Sequence, residues 1–452
     1  MAEKTAPWYK HLLPKSGDPL KLTHRNHIEN WLSPSGNLSW SYQGQHGQVT
    51  ALSESSLKLR GVRTGAFQSS LTHLSLKWED RTFEISGSFL DENTVFLVDE
   101  AHRTELNNLL NSLRKSQHLM LCQERDVEAS DRFTGFSSYS FIPEALPDLN
   151  WEDLSLEQDF LGRRFRAPIL ITGMTGGIER GQELNLRLAK LAESYGIPMG
   201  IGSQRMALEN RAYREIFAVK DKCPNLFLIG NLGGSQLCGP NAVDLCKEAV
   251  EMVGADALAV HLNVLQECVQ VEGSPQFRGL MKNLEPMCRE LSVPVIVKEV
   301  GCGMSPQTAK RLVEAGVSAI DCGGRGGTSW AYIEGLRSVS SSTLELAKTF
   351  RDWGIPTAYS LRAIHHELPH LPLVATGGIR DGLMVAKALA LGAQMVGVGL
   401  PLMRAAMESE DKLHEVLESF LRALKTTLLA TGSARVSELK HKIIKGLPYE
   451  ND

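Results

Sequence analysis

From about residue 165 onward the chain repeats one unit eight times, a short apolar run followed by a helical segment. The runs are "PILITGM", "PMGIGS", "LFLIGNL", "ALAVHL", "VPVIVKEV", "VSAIDCG", "PLVATGG" and "QMVGVGL". Between them lie amphipathic segments such as "NLRLAKLAESYG", "DLCKEAVEMVGA" and "PQTAKRLVEAGV". Several end in a glycine, as a helix C-cap does. Strands that are apolar on both faces suit a parallel sheet covered by helices. Eight strand–helix units over about 240 residues match the count and length of a (β/α)8 barrel. The expected fold class is therefore α/β, a TIM barrel over about 165–430.

The first 110 residues have another texture. "QVTALSESSLKLRG", "LTHLSLKWED", "RTFEISGSF" and "TVFLVD" alternate apolar and polar positions, then "EAHRTELNNLLNSLRK" reads as a helix. Alternation bounded by Gly, Asp and Ser predicts antiparallel strands. A small β-rich α+β domain closed by one helix is expected at 1–110, with the barrel and a preceding segment at 111–452. No chemical motif shows in the first part.

Composition narrows the partners. The net charge of −4 provides no basic field, so nucleic acid is not expected. No apolar run reaches the roughly 18 residues that cross a bilayer, and "MAEKTAPWYKHLLPK" does not read as a signal peptide. Eight cysteines stand singly with no CxxC pair, as reduced thiols do in a cytoplasmic protein.

In such barrels the catalytic face lies where strands end and βα loops begin. Here the strand ends are unusually polar: "TGMTGG", "GSQRM", "GNLGG", "HLNVLQE", "VKEVGCG", "DCGGRGGTSW" and "ATGGIRDG". The loops after strands seven and eight commonly hold a phosphate. "GGIRDG" at 377–382 and "GVGLP" at 397–401 fall there, and "GGRGGTSW" at 323–330 adds Gly326, Gly327 and the hydroxyl of Thr328. Glycines let backbone N–H groups approach an anion closely. Lys298 is a cation inside an apolar strand, costly unless paired. Its neighbour Glu299 points to the opposite face of the strand, so a ligand anion in the barrel mouth is the better partner. A flavin with its phosphate between strands seven and eight would lay its ring over the barrel centre. Lys298 would then stabilise negative charge on the N1–C2=O edge of the reduced ring.

These residues resemble the type 2 isopentenyl diphosphate isomerases, FMN-dependent barrel enzymes. The resemblance spans roughly 114–430. It rests on "RKSQH" at 114–118, "MTGG" at 174–177, "GSQRMALE" at 202–209, "GNLG" at 230–233, "HLNVLQE" at 261–267, "VKEVGCGMS", "GGRGGTSW", "WGIPT" at 353–357, "ATGGIR" and "KALALGA" at 387–393. It implies interconversion of isopentenyl and dimethylallyl diphosphate in isoprenoid biosynthesis. Arg114, Lys115 and His118, joined by Arg205, His261 and Asn263, would hold the substrate diphosphate. Gln266 would sit beside the isoprenoid carbons, as a catalytic residue with Glu267, and Glu267 would ligate a Mg2+ bridging to the diphosphate. Thr172, Gly173, Met174, Thr175, Ser203, Asn231, Lys298, Gly327, Thr328, Gly377, Gly378, Arg380, Ala393 and Gly399 would bind FMN. The family uses reduced FMN, with NADPH as reductant, and tends to form tetramers or larger homo-oligomers.

The chemistry suits the residue types. Moving a double bond adds a proton at one carbon and removes one at another. A reduced flavin offers N5 as proton donor and acceptor, and its electron-rich ring favours nearby cationic charge. Arg and Lys clamp the diphosphate and so fix the small apolar tail. Mg2+ accepts a single carboxylate with phosphates and water.

Two features depart from the family pattern: Met384 stands where an Asp is usual before "KALALGA", and 110 extra residues precede "RKSQH". Met384 is expected to face helix packing or a cap. Three rivals remain. An α-hydroxy-acid oxidase needs a His in the loop after strand six, which has none. IMP dehydrogenase-like chemistry needs a nucleophilic Cys there, and Cys322 reads more simply as a small barrel residue. A flavin-binding scaffold acting through its N-terminal domain has no use for "HLNVLQE" and "RKSQH".

Overall fold

The computed structural model describes 39–42, 45–52, 56–60, 72–78, 81–89 and 95–98, and then 103–446 apart from 175–178, 272 and 339. The N-terminal strands are β1 (Ser39–Tyr42), β2 (Gln45–Leu52), β3 (Ser56–Arg60), β4 (Thr72–Trp78), β5 (Arg81–Phe89) and β6 (Val95–Val98). All their pairings are antiparallel, in the closed order β1-β2-β3-β6-β5-β4. Alternation puts Leu74 and Leu76 inside with Val49, Leu57, Ile85 and Val98. The single stretch read as "QVTALSESSLKLRG" is two strands, β2 and β3, paired as a hairpin. The sheet closes on itself through β1 and β4.

Helix α1 (Arg103–Glu124) follows and carries "RKSQH" in its second half. Leu119 and Cys122 from this helix enter the main hydrophobic core.

All eight expected barrel strands are present and parallel: β7 (Ile169–Ile171), β8 (Met199–Gly200), β9 (Leu228–Gly233), β10 (Ala257–Leu262), β11 (Val295–Glu299), β12 (Ala319–Asp321), β13 (Leu373–Ala375) and β14 (Met395–Val398). They pair in sequence order, and β14 closes onto β7 through Leu170 opposite Gly397. The outward residues, such as Ile169, Leu258, Val297 and Val396, pack under the helices in the main core. The inward ones form a separate core: Leu170, Ile229, Ala257, Ala259, Ile296, Ala319, Val374 and Met395. Phe160 and Phe165, from the short hairpin Gln158–Phe165, belong to that inner core. They precede β7 in the chain and so plug the bottom of the barrel, leaving the other end for chemistry.

Local signals act as expected. Gly254 takes φ +60° as the C-cap of the helix Ala242–Val253. Asp381 caps the helix Gly382–Ala390, its carboxylate accepting from the amide of Met384 at 2.7 Å. Met384 itself packs against the main core, in keeping with the packing role expected of it.

Gly382 shows how tightly the outer layer is built. A Cβ there would lie 2.1 Å from Phe420 O and 2.6 Å from Leu424 N, both backbone atoms of the helix Glu410–Ala430. Gly382→Ala should force the two helices apart and cost about 1–3 kcal/mol. Denaturant unfolding should show a lower midpoint; an unchanged midpoint would mean the helix contact yields freely.

Candidate active site

The inward-facing rows of the barrel change character two residues nearer the strand ends. Leu170 is followed by Thr172, Ile229 by Asn231, Ala259 by His261, Ile296 by Lys298, Ala319 by Asp321, Val374 by Thr376 and Met395 by Gly397. Because strand side chains alternate with period two, these residues share the inner face and form one layer above the apolar plug. Every polar member sits at the mouth. The polar end of "HLNVLQE" is thus part of one layer of the barrel, repeated around the ring.

Above this layer a cavity opens at the barrel mouth. Thr172, Gly173, Met174, Lys298, Thr328, Gly377, Gly378, Arg380 and Gly399 line it, with Thr376 and Trp330. Gly377 and Gly378 have φ +106° and +73°, a backbone that favours glycine. A Cβ at Gly399 would lie 2.6 Å from Thr172 Oγ1 and 2.7 Å from Met174 Sδ. Gly399 also begins the helix Leu400–Glu408, so backbone N–H groups face the β13–β14 end of the cavity. The shape and donors fit a flavin with its phosphate at that end and its ring toward Lys298.

Gly327, Ser203, Asn231 and Ala393, also expected at the flavin, are not among the residues that line this cavity. Gly327 backs onto the next loop, where a Cβ would be 2.4 Å from Gly378 N. The backbone carbonyl of Ser203 accepts from Lys115 Nζ at 3.0 Å. Asn231 is in the layer beneath the cavity, its Nδ2 donating to Ile201 O at 2.9 Å. Ala393 is buried in the main core after the helix Gly382–Ala390. Thr175 falls outside the described residues. Arg380 lines the cavity and also forms an ion pair with buried Glu128, a residue the sequence did not single out. Burial lowers the Arg380 guanidinium to about 10, so it stays charged.

Lys298 donates to the backbone carbonyl of Glu299 at 3.0 Å. Glu299, expected to point away, lines the same cavity, because β11 ends there and the chain turns. Asp321 is buried, accepts from Thr376 Oγ1 at 2.5 Å, and is raised by burial. Cys322 is buried beside it, and burial pushes its thiol up to about 12, which favours the protonated thiol.

The second half of the site is assembled by a carboxylate. Glu334 lies on the helix Trp330–Arg337, fully buried. Its Oε1 accepts from His118 Nε2 at 3.0 Å and from Gln266 Nε2 at 2.7 Å. Its other oxygen pairs with Arg337, whose Nε donates to Gln117 Oε1 at 3.1 Å. Gln270, its amide turned to suit both neighbours, donates to Glu334 at 3.2 Å and accepts from Arg114 at 2.7 Å. Burial alone would raise this carboxyl, but Arg337 and His118 outweigh it and hold it far below the usual range. Glu334 therefore joins α1, "HLNVLQE" and its own helix. In the sequence it read as an ordinary helix residue; the signal was a Glu–Arg pair at i, i+3 among apolar neighbours in "WAYIEGLR".

Asn263 completes the cluster. Its Nδ2 donates to Glu267 Oε1 at 2.9 Å and to Gln266 Oε1 at 3.2 Å, while its buried Oδ1 has no partner. Glu267 Oε2 accepts from Ser274 N at 2.8 Å. No group of three His, Cys, Asp or Glu stands together among the described residues, so Glu267 would bring one protein ligand to a cation that other donors complete.

Positive charge is crowded here. Lys115 is lowered to about 7 by burial and by Arg114 and Arg205, with Glu209 pulling the other way. Arg205 is paired with Glu209 at 2.7 Å. Burial, Lys298 and Lys115 lower His261 to about 3. Its Nδ1 faces Asn231 Oδ1 at 2.8 Å. Since Asn231 Nδ2 already donates elsewhere, neutral His261 carries its proton on Nδ1, and Nε2 accepts. Lys115 thus sits among the cationic Arg114 and Arg205, and neutral His261 lies near Lys115 and Lys298.

Comparison with known proteins fits this geometry. The family model for FMN-dependent dehydrogenases matches residues 247–446. An isopentenyl-diphosphate delta-isomerase of Nostoc sp. is 44% identical over 328 residues, 73% of this chain and 94% of the relative. One of Archaeoglobus fulgidus is 43% identical over 333 residues, again 73% and 94%. Among solved structures, mandelate oxidase with (S)-2-phenylpropionate aligns with a TM-score of 0.51 at 22% identity, over 76% of this chain and 97% of that one. That likeness shows the fold alone.

Because the folded state lowers Lys115 to about 7, its amine is mostly neutral above that pH. An anion bound beside it favours the charged form, so binding takes up a proton and weakens as pH rises from about 7 toward about 10. Calorimetry with inorganic diphosphate in buffers of different ionisation enthalpy should show this uptake near about pH 8. Lys115→Arg should abolish most of it; equal uptake in both proteins would place the proton elsewhere.

Proposed function

The chain belongs to the flavin-dependent isopentenyl-diphosphate delta-isomerases, and on that premise we propose how its own residues divide the work of interconverting isopentenyl and dimethylallyl diphosphate. The observation that supports the division most is the pairing of two half-sites. A glycine-walled cavity carries Lys298, and a cationic cluster is joined to Gln266 and Glu267 through Glu334 and Asn263.

Arg114, Lys115, His118, Arg205, His261 and Asn263 bind the diphosphate. Arg114 and Lys115 supply charge from one helix. His118 is aimed by Glu334 and packs edge-on against Trp330, the ring centroids 5.4 Å apart. Gln266, held by Glu334, faces the isoprenoid carbons. Trp330 lines the flavin cavity on the same side and keeps water from them. Glu267 carries the Mg2+, with its second oxygen steadied by the amide of Ser274.

Lys298, Thr172, Met174, Thr328, Gly377, Gly378, Arg380 and Gly399 hold FMN, supported from below by Asn231. Reduced FMN, when bound, supplies a proton-exchanging centre and an electron-rich face at no net redox cost. Lys298 favours negative charge at the ring edge nearest it. NADPH is the reductant.

The hydroxy-acid oxidase alternative is disfavoured by the cavity walls, which include no histidine to abstract a proton. Residues 111–452 make up the catalytic unit and 1–110 an accessory domain, with α1 spanning the junction. Eight free thiols support a reducing, cytoplasmic setting. Among the described residues no helix is long and apolar enough to cross a membrane. Exposed Ile142, Leu146 and Trp151 support assembly into a homo-oligomer.

The test is turnover of isopentenyl diphosphate by the full chain with FMN and Mg2+ under anaerobic conditions. Dimethylallyl diphosphate should form after reduction by NADPH and not with oxidised flavin; product without reduction would refute the role given to the flavin. Glu267→Gln should raise the Mg2+ needed for half-maximal rate about tenfold or more while flavin affinity stays. An unchanged Mg2+ dependence would remove Glu267 from the metal.

A further inference from the structure

Glu299 stands where two cavities meet. It lines the flavin cavity beside Lys298 and Gly301. It also lines a small adjoining cavity that includes Gln266, Cys302, Phe350 and Trp353. Trp353 is 61% exposed, so this second cavity borders solvent.

The two carboxylate oxygens have different surroundings. Oε2 accepts from the amides of Val300 at 2.6 Å, Gly301 at 2.6 Å and Cys302 at 2.5 Å. Oε1 accepts from none of the described residues, yet it is not a buried orphan. Three donors on one oxygen fix the group in place whichever protonation state the other oxygen carries. A Gly301 backbone at φ +144° and the turn beyond it exist in the shape that delivers those three amides. Holding a carboxylate so firmly is more than a strand end requires.

Burial pushes this carboxyl up to about 7, although the three amides and Lys298 pull it down. A carboxyl poised near neutrality passes a proton either way at least cost. The charged and titratable groups around it are Lys298 on the same strand, Asp321 on the neighbouring one, Cys302 in the following turn, and Arg351 and Arg380 in the cavity walls.

Isomerisation gains a proton at one carbon and loses one at another, in a site closed by Trp330. Resting on the isomerase reading above, we propose that Glu299 is the proton relay between solvent and the flavin cavity. Oε1 forms an O–H bond with a proton delivered through the outer cavity. That bond breaks as the proton passes to the flavin side, and the carboxylate is restored. The reverse transfer removes the proton released at the second carbon. No electrons move, and the carboxyl ends as it began. The role is one of proton supply: Glu299 acts through the reacting centre and does not bind the diphosphate.

Glu299→Gln tests this cleanly, because a Gln carbonyl oxygen still accepts the three amide bonds while proton exchange is lost. Two measurements are made on the full chain loaded with FMN. The first titrates the absorbance of the bound flavin from about pH 5.5 to about pH 9. The second follows isopentenyl diphosphate isomerisation in D2O, with deuterium in the product read by mass spectrometry. The unsubstituted protein should show a flavin spectral transition near neutrality that the Gln variant lacks. The variant should retain flavin affinity and thermal stability, keep KM within about twofold, lose kcat on the order of 10²-fold, and take up less deuterium per turnover. A variant with the same pH profile and deuterium uptake as the unsubstituted protein overturns the relay. So does a loss of flavin affinity and stability equal to the loss of rate, which would make Glu299 structural. If the unsubstituted protein makes no product, the isomerase reading fails first, and the two failures are told apart.

Discussion

One buried charge organises the substrate side of this barrel. Glu334 is fully enclosed, and an enclosed carboxylate without partners would cost several kcal/mol. Its stability therefore depends on His118 from α1, Gln266 from the helix after β10, and Arg337 one turn along its own helix. Three separate stretches of chain must converge to satisfy it. The convergence carries Arg114 and Lys115 to the mouth of the barrel, because they lie on the same helix as His118. It also helps set the rotamer of Gln266, whose Oε1 accepts from Asn263. The electrostatic requirement of one residue thus becomes the geometry of several.

The flavin side follows from a different constraint, the period of the β-strand. In six strands the inward row is apolar for its lower residues and polar for the last one, so the barrel builds a hydrophobic plug and a polar floor from the same strands. Glycines at 377, 378 and 399 then bring backbone against the cavity where side chains would collide. The two halves meet at Lys298, Glu299 and Trp330, which all line the cavity. There the chain places a cation, a carboxyl and an aromatic wall within one site.

Much of this was legible in the sequence. All eight barrel strands were readable because strands apolar on both faces stand out between amphipathic helices. The glycine loops and "HLNVLQE" were readable because polar residues at apolar strand ends are unusual. Glu334 was not, since a Glu–Arg pair three residues apart looks like a solvated helix face until the helix is known to be buried. The curl of Glu299 into the cavity escaped strand alternation because the strand ends there and its rule ends with it. Gly327 read as a phosphate-binding glycine, yet its lack of a side chain serves the contact with Gly378. In the N-terminal part alternation revealed the strands, whereas the β1–β4 pairing that closes them spans more than thirty residues and leaves no local trace.

The most direct test is Glu334→Gln, with isomerase kcat and flavin affinity measured side by side. If one buried charge assembles the substrate side, kcat and diphosphate affinity should both fall, by about tenfold or more, while flavin affinity holds. A variant with full kcat and unchanged diphosphate affinity would contradict the account, because the cluster would then stand without its centre.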